Sequence, residues 1–280
     1  MSGKNSQTNE LPTIWRVPDE LWATIQPLLA ELDPAKTTGR PRIDQRAALD
    51  ALIFRLRSGC QGNQLPQEFP DDSSVHRTMQ RWQQVGLFEQ IWAGLLRECA
   101  ELGGVDWEWQ SADAWMSKAR LGGDLIGRNP TDRGKNGVKK SLLVEASGGP
   151  LALALAGAHR HDSKLLAATL EAIVIERPQP SVEQPQHLCL DKAFDSAVSE
   201  ATVRAQHYVP HIRRIGEEKL DEQGEKRYPA RRWVVERTFA WLSKCRALLV
   251  RYDKKSSNYL ALLQLACALL WFRRWVRLAF

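Results

Sequence analysis

The chain has 280 residues, 43% of them hydrophobic, and a formal net charge of +6 with a pI near 9.1. That length and apolar content support one large core or two modest ones. Five cysteines with no C-x-x-C spacing argue against a zinc site or a disulfide frame, and a polar N-terminus without an apolar signal core sets a soluble, reducing, cytoplasmic expectation.

The charge is uneven. Residues 237–280 hold nine Lys/Arg against one Asp, residues 118–140 hold seven against two Asp, and the remainder is net acidic. Such patches suit a polyanion, nucleic acid first, although a solvated surface has the same composition.

Residues 1–14 are polar and read as a disordered leader. Pro18-Asp19 opens a helix carrying Leu21, Trp22, Ile25, Leu28 and Leu29. A turn-rich linker, 34–41, runs into Gly39-Arg40-Pro41-Arg42. This is a short basic arm of the kind that lies in DNA minor grooves, or else a solvated loop. Asp44 caps a second helix bearing Ala47, Ala48, Leu49, Leu52, Ile53 and Leu56. After a Gly- and Pro-rich loop, 58–72, Ser73-Ser74 caps a third helix, 75–85, closed by Gly86. A fourth helix runs from Leu87 to about Leu102. Two short helices joined at Gly86 suggest a helix-turn-helix with His76, Arg77, Gln80, Arg81 and Gln84 on a polar face, though a plain bundle has the same pattern.

Gly103-Gly104 marks a boundary, dividing a helical domain (15–102) from a strand-bearing one (104–280). In Trp107–Met116, Trp107, Trp109, Ser111, Asp113 and Trp115 share one face of a strand. The basic, glycine-rich stretch 118–140 reads as a loop. Two apolar runs, 141–146 and 151–157, flank Ser147-Gly148-Gly149-Pro150 as a hairpin. Asp162-Ser163 caps a helix from Lys164 to about Ile175. A Pro-rich linker leads to a short buried strand, His187–Leu190, ending on Asp191. Asp195 reads as the cap of a helix over 196–206. A last strand, 207–211, and a charged turn, 216–223, follow. An amphipathic helix then carries Glu236 beside an apolar stripe of Val235, Phe239, Leu242 and Leu249. The final helix spans Asn258 to about Phe280. Its longest apolar run, 259–272, contains Gln264 and is too short to cross a membrane. Cys189, Cys245 and Cys267 lie in apolar runs and read as buried thiols. From residue 104 on, this order predicts an α/β sheet with a leading antiparallel meander and later crossovers.

Three acids stand out. Asp113 lies within a Trp-rich strand, where an unpaired carboxylate is costly. Asp191 ends a strand, where such sheets place ligands. Glu236 borders a buried helical stripe. Three converging carboxylates do not all stay ionised without cations. Separate partners would serve, with Lys192 beside Asp191 and Arg237 beside Glu236. Taken together in this strand order, the set favours divalent magnesium, two ions of which form a phosphoryl-transfer clamp.

These residues also carry a family resemblance. The chain resembles a DDE transposase of a bacterial insertion sequence, of the insertion-sequence-five family, over about residues 15–275. The phrases that carry it are Gly39-Arg40-Pro41-Arg42, Leu56-Arg57-Ser58-Gly59-Cys60-Gln61, Asn129-Pro130-Thr131-Asp132-Arg133-Gly134-Lys135, Arg160-His161-Asp162-Ser163, Asp191-Lys192-Ala193-Phe194-Asp195 and Trp233-Val234-Val235-Glu236-Arg237-Thr238-Phe239-Ala240-Trp241-Leu242. The resemblance implies an RNase H-like catalytic domain behind a helical DNA-binding domain, with Asp113, Asp191 and Glu236 as catalytic residues and metal ligands. Arg232 fits the family's signature arginine. Tyr228 and Lys244 depart from the usual spacing by about one residue, and Ala193 stands where a glycine is usual.

The expected activity is magnesium-dependent cleavage and strand transfer on double-stranded DNA, with manganese as the substitute ion. The partners are terminal inverted repeats and target DNA, and a homodimer or larger assembly pairs the ends. Phosphate contacts are expected from Arg40, Arg42, His76, Arg77, Arg81, Arg128, Arg133, Lys135, Arg232 and Lys244. An RNase H-like nuclease without strand transfer and a DNA-binding repressor without cleavage are the rival readings.

Overall fold

In a computed structural model of the chain, residues 13–212, 231 and 233–280 are described. Four helices come first: α1 (Asp19–Leu32), α2 (Gln45–Ser58), α3 (Asp72–Gln84) and α4 (Leu87–Glu101). In α1, Leu21, Ile25 and Leu29 recur every fourth residue and are buried, as one face of a 3.6-residue helix requires. Asp44 caps α2 as expected, its carboxylate accepting the Ala47 N–H at 2.7 Å. Gly59 ends that helix at φ 69°, where a side chain would also collide with Arg246. The cap of α3 is Asp71, not Ser73-Ser74: its carboxylate takes the Ser74 N–H at 3.0 Å, so the helix starts three residues earlier than expected. Ile14, assigned from the sequence to the leader, is buried, and Arg57 donates to its carbonyl.

A buried carboxylate ties this helical region together. Asp33, only 3% exposed at the end of α1, accepts from Arg81 Nε and Nη2 (2.9 and 3.0 Å), from Trp82 Nε1 (2.8 Å) and from Arg42. Burial pushes its pKa up, but the Arg81 and Trp82 hydrogen bonds and the Arg81 and Arg42 charges outweigh that and hold the carboxyl below its ordinary range.

The sheet follows. Its strands are β1 (Trp109–Ala119), β2 (Gly127–Arg128), β3 (Asn136–Glu145), β4 (Pro150–Gly157), β5 (His187–Leu190), β6 (Val209–Ile212) and β7 (Val250–Arg251). The helices between and after them are α5 (Leu166–Glu171), α6 (Ala197–Ala205), α7 (Trp233–Ser243) and α8 (Ser256–Ala279). β1, β3 and β4 form the antiparallel meander, and β5 and β6 join the far edge of β1 in parallel, giving the order β4-β3-β1-β5-β6. This is the RNase H-like arrangement, with β2 added beside β3 and β7 beside the end of β1.

Several local expectations change. Residues 136–140 belong to β3 rather than to a loop, and Lys139 and Lys140 are buried. The helix after β4 is short, because a 3-10 turn (Asp162–Lys164) precedes α5 and Ile173 bridges back to Ala152. His161, not Asp162, caps that turn, and Ser196, not Asp195, caps α6. α7 buries Val234, Val235, Thr238 and Leu242, while Leu249 lies beyond the helix and is exposed. The charged turn 216–223 and Tyr228 lie outside the described residues.

The helical region and the sheet share one hydrophobic cluster. α8 is its axis. It is 24 residues long and apolar enough by composition to cross a membrane, yet 67% of its apolar window is buried inside the fold. It packs along α4, and Trp92 of α4 and Trp271 of α8 both donate their indole N–H to the Pro150 carbonyl at the start of β4, at 3.0 and 2.7 Å. Arg274 of α8 reaches fully buried Glu145 at the end of β3 (2.7 Å). Cys99, Cys189, Cys245 and Cys267 are buried, and Cys60 is half-buried.

Replacing Asp33 with Ala leaves two guanidinium groups and an indole facing an emptied pocket, and is expected to cost about 3 kcal/mol in urea denaturation at neutral pH, the low end for a buried pair because both arginines are partly exposed. Because the folded carboxyl titrates below its unfolded value, its contribution is present above pH about 3.9 and is lost as pH falls through the folded value. The Asp33→Ala chain should therefore lose less stability than the parent on acidification below pH about 3.9.

Candidate active site

The site is built on the far edge of β1. β3 covers one edge without interruption from Gln110 to Lys118. On the other edge β5 pairs only as far as Ser111 opposite Cys189, and β7 takes up that edge again at Lys118 opposite Val250. Asp113 falls in the interval, half-buried, with its Oδ1 accepting the Ala114 N–H at 2.7 Å. Two residues beyond Cys189 the chain reaches Asp191. The same parallel register carried two residues on would set Asp191 level with Asp113 on neighbouring strands, which in a sheet run about 4.8 Å apart. Asp191 caps a 3-10 turn (Lys192–Phe194), its Oδ1 accepting the Ala193 N–H at 2.8 Å.

α7 lies over this face. The expected common face of β1 is present: Ser111 Oγ donates to the Arg231 carbonyl (3.2 Å), the Arg231 guanidinium stacks on Trp109 (4.6 Å), and Trp115 meets Phe239 with ring centroids 4.3 Å apart. Asp113 lies between these contacts along the strand, as Glu236 does along the helix. On the β4 side of α7, Thr238 Oγ1 donates to the Gly148 carbonyl and Arg237 to the Ser147 carbonyl, both at 2.7 Å. Glu236 is about 100° round the helix from buried Val235, on the flank opposite those anchors, and is exposed. Arg237 does not act as a counterion at that flank, because its guanidinium stacks between Trp233 and Trp241, at 4.6 and 4.9 Å.

The three carboxylates lie mid-way along β1, just past the end of β5 and on the exposed flank of α7. Their oxygen-only chemistry fits a hard divalent ion, and the backbone N–H bonds to Asp113 and Asp191 orient those two carboxylates. Among the described residues, no three His, Cys, Asp or Glu side chains are close enough together to hold a metal ion. The fit therefore rests on the Asp113–Asp191 register and the flank of α7 that bears Glu236, not on a closed ligand set.

The expected cationic contacts divide into three groups. Arg40, His76, Arg77, Arg128, Arg133, Lys135 and Lys244 are exposed. Arg42 and Arg81 are bound to Asp33, and Arg232 lies outside the described residues. The Asn129–Lys135 phrase is a tight turn between β2 and β3. The Asn129 N–H donates to the Lys135 carbonyl (2.8 Å), Asn129 Oδ1 accepts from Thr131, and Asp132 pairs with Lys118 (3.3 Å). It holds Arg133 at φ 52° and projects beyond the Ala119 end of β1.

Two features escaped the sequence. Trp109 stacks on His187 at 4.3 Å, and His187 Nδ1 lies 2.8 Å from His211 Nε2, making a ring cluster under Arg231 where the chain enters α7. Burial, helped by the Arg231 charge and opposed by Glu108, lowers the His187 pKa. Lys140 is fully buried, with its Nζ 3.2 Å from both the Leu248 carbonyl and the Tyr259 hydroxyl, bonded to Ser117 Oγ, and 4.1 Å from the Trp115 ring centroid. Burial drives its pKa well down. Only the pairing of β1 with β3, which sets Lys140 opposite Trp115, reveals this cage.

Comparisons with known proteins agree with this architecture. Residues 17–92 match the family described as a putative transposase of IS4/5 family, and residues 104–271 match the family described as a transposase DDE domain. A putative transposase for insertion sequence element IS402 from Burkholderia cepacia is 33% identical over 157 residues, covering 55% of this chain and 72% of that protein. A second IS402 product from the same organism, an uncharacterized 16.2 kDa protein, is 30% identical over 118 residues, covering 41% of this chain and 80% of that protein. Among solved structures, the Mos1 mariner paired end complex with Mn aligns over 96% of this chain and 89% of that chain, with a TM-score of 0.29 and 9% identity, too slight a likeness to carry an argument.

Proposed function

The chain belongs to the DDE transposases of the IS4/5 insertion-sequence family, and on that premise we propose that it binds the terminal inverted repeats of its element, cuts the DNA there and joins the freed end to target DNA. The observation that supports this reading is the β1–β5 register, which, carried two residues past its last pair, would set Asp191 level with Asp113.

In this reading the three carboxylates hold magnesium, or manganese in its place. Two such ions would supply an activated water for in-line attack on a phosphodiester and stabilise the leaving 3′ oxygen. Asp113 brings rigidity, because it sits on a strand paired continuously with β3. Asp191 brings an orientation fixed by its own turn. Glu236 brings a carboxylate on a helix whose apolar contacts with β1 hold it over the edge. The exposed Arg128 of β2 and Arg133 and Lys135 of the β2–β3 turn, with Lys244, neutralise phosphates near the cut, and Arg40, His76 and Arg77 contact the end sequence from the helical region. We assign Arg42 and Arg81 to the fold, since both guanidinium groups are already held by Asp33. The ends must be paired before strand transfer, so a homodimer or larger assembly acts on the DNA of the bacterial cytoplasm.

The test is incubation of the full chain with linear duplex bearing the element's ends in magnesium. Nicking at the ends and joined products are expected. Asp113→Asn, Asp191→Asn and Glu236→Gln should each retain end binding while cleavage falls about 10³-fold, corresponding to several kcal/mol of lost transition-state stabilisation. Full activity in Glu236→Gln would remove that residue from the triad. Tight binding without cleavage in magnesium or manganese would make the chain a DNA-binding protein, and cleavage without joining would make it a nuclease.

A second measurement addresses the cations. The Arg133→Ala/Lys135→Ala double variant should bind all duplexes more weakly and reduce the slope of log affinity against log salt by about 2, since each neutralised phosphate adds about 0.9 to that slope. Arg81→Ala should leave the slope unchanged and lower stability instead.

A further inference from the structure

The phrase Arg160-His161-Asp162-Ser163 has no part in the chemistry above, yet it lies directly behind one of the acids. Lys139 and Lys140 are consecutive on β3 and so point to opposite faces of the sheet. Lys140 enters the cage under Trp115 on the α7 face. Lys139 goes to the α5 face, where its Nζ is 2.6 Å from Asp162 Oδ1 and donates to the Arg160 carbonyl, also at 2.6 Å. One ammonium group thus grips both ends of 160–162. The pair is largely shielded, with side-chain exposures of 9% for Lys139 and 24% for Asp162.

Asp162 opens the 3-10 turn Asp162–Lys164, and this turn packs against the turn Lys192–Phe194. The second turn is the one capped by Asp191, through the Ala193 N–H, and it is seated by buried Phe194. The chain of contacts runs from β3, through Lys139 and Asp162, to the turn that orients Asp191. Its starting strand is hydrogen-bonded directly to the strand of Asp113, which pairs with Leu142. A shielded ion pair costs desolvation that an apolar contact would avoid, and what it adds is directional registry.

We infer that Lys139–Asp162 is a positioning ion pair that fixes the Asp191 turn relative to the strand of Asp113. This rests on the reading of Asp191 as a metal ligand. Neither Lys139 nor Asp162 touches the reacting atoms in this scheme. Both act through the Asp191 turn.

The experiment uses the full chain with Lys139→Met, Asp162→Asn and the conservative Lys139→Arg, beside Asp191→Asn. The readouts are hydrogen exchange over residues 191–194 without metal, Mn²⁺ titration without DNA, and cleavage. Lys139→Met and Asp162→Asn should each speed exchange in the 191–194 turn while leaving β1 and α8 protected, and raise the Mn²⁺ half-saturation about tenfold, the usual scale for losing a partner of a metal ligand. End-DNA affinity should stay within about twofold, and Lys139→Arg should recover most of the Mn²⁺ affinity. If Lys139→Met unfolds the chain, Asp162→Asn carries the same expectation, because the Arg160 carbonyl still accepts from the Lys139 ammonium. Unchanged exchange and Mn²⁺ affinity in a folded Asp162→Asn chain would overturn the inference, as would protection lost evenly throughout the protein. Wild-type Mn²⁺ binding in Asp191→Asn would instead overturn the metal reading of Asp191, and this inference with it.

Discussion

The constraint on which the site depends is the brevity of the β1–β5 pairing. A parallel ladder fixes which residues stand side by side, and a slip of one residue would turn Cys189 and Asp191 to the other face. Here the ladder stops at Ser111 opposite Cys189, and β1 runs on. A longer β5 would cover the edge beside Asp113 with backbone. A shorter one would leave the Asp191 turn without a fixed level. The ring cluster of Trp109, His187 and His211 at the start of the ladder, and the Arg231 backbone over Ser111, pin this short pairing from the α7 side.

The second determinant is that the helical region cannot move independently of the sheet. Trp92 and Trp271 converge on the Pro150 carbonyl, and α8 runs between α4 and the meander. Near the other end of α8, Asp124 accepts from Arg251, from Ser256 Oγ (both 2.8 Å) and from the Ser256 N–H, while Arg55 of α2 pairs with Asp253 (2.9 Å). Any ligand held by α3 is therefore held at a set distance from the β1 edge. The boundary at Gly103-Gly104 separates two kinds of secondary structure but not two cores.

Much of the fold is legible in the sequence, for physical reasons that also explain the exceptions. Helical periodicity and the Asp44 cap are local, and so they are readable. The meander and the short strand ending on Asp191 follow from apolar runs and turn residues. The three acids stand out in the sequence because each sits at an element position where a carboxylate is unusual. Misreadings arise where local rules compete. Asp71 and Ser73-Ser74 are all good caps, as are Asp195 and Ser196, and only packing selects between them. Asp162 reads as a cap because its partner, Lys139, is distant in sequence and sits in what looks like a basic loop.

That last misreading reveals how charge is used in this chain. Counting cations along the sequence treats 118–140 as one basic stretch, but pleating divides it. Lys139 and Lys140 turn inward on opposite faces of β3, while Arg128, Arg133 and Lys135 stay on the turn that projects past the end of β1. The same sorting occurs elsewhere: Arg251 is fully buried against Asp124, and Arg42 and Arg81 converge on Asp33. The exposed Arg133 and Lys135 sit on a short, internally braced turn. A polyanion approaching that turn meets charges whose positions are already set, so little ordering is required of the protein on binding. The inward-facing cations are held within the fold instead. Lys140 packs beneath Trp115, which meets Phe239 of the helix that carries Glu236, and Lys139 grips the segment beside the Asp191 turn. Positive charge on β3 thus serves chiefly to hold neighbouring segments together.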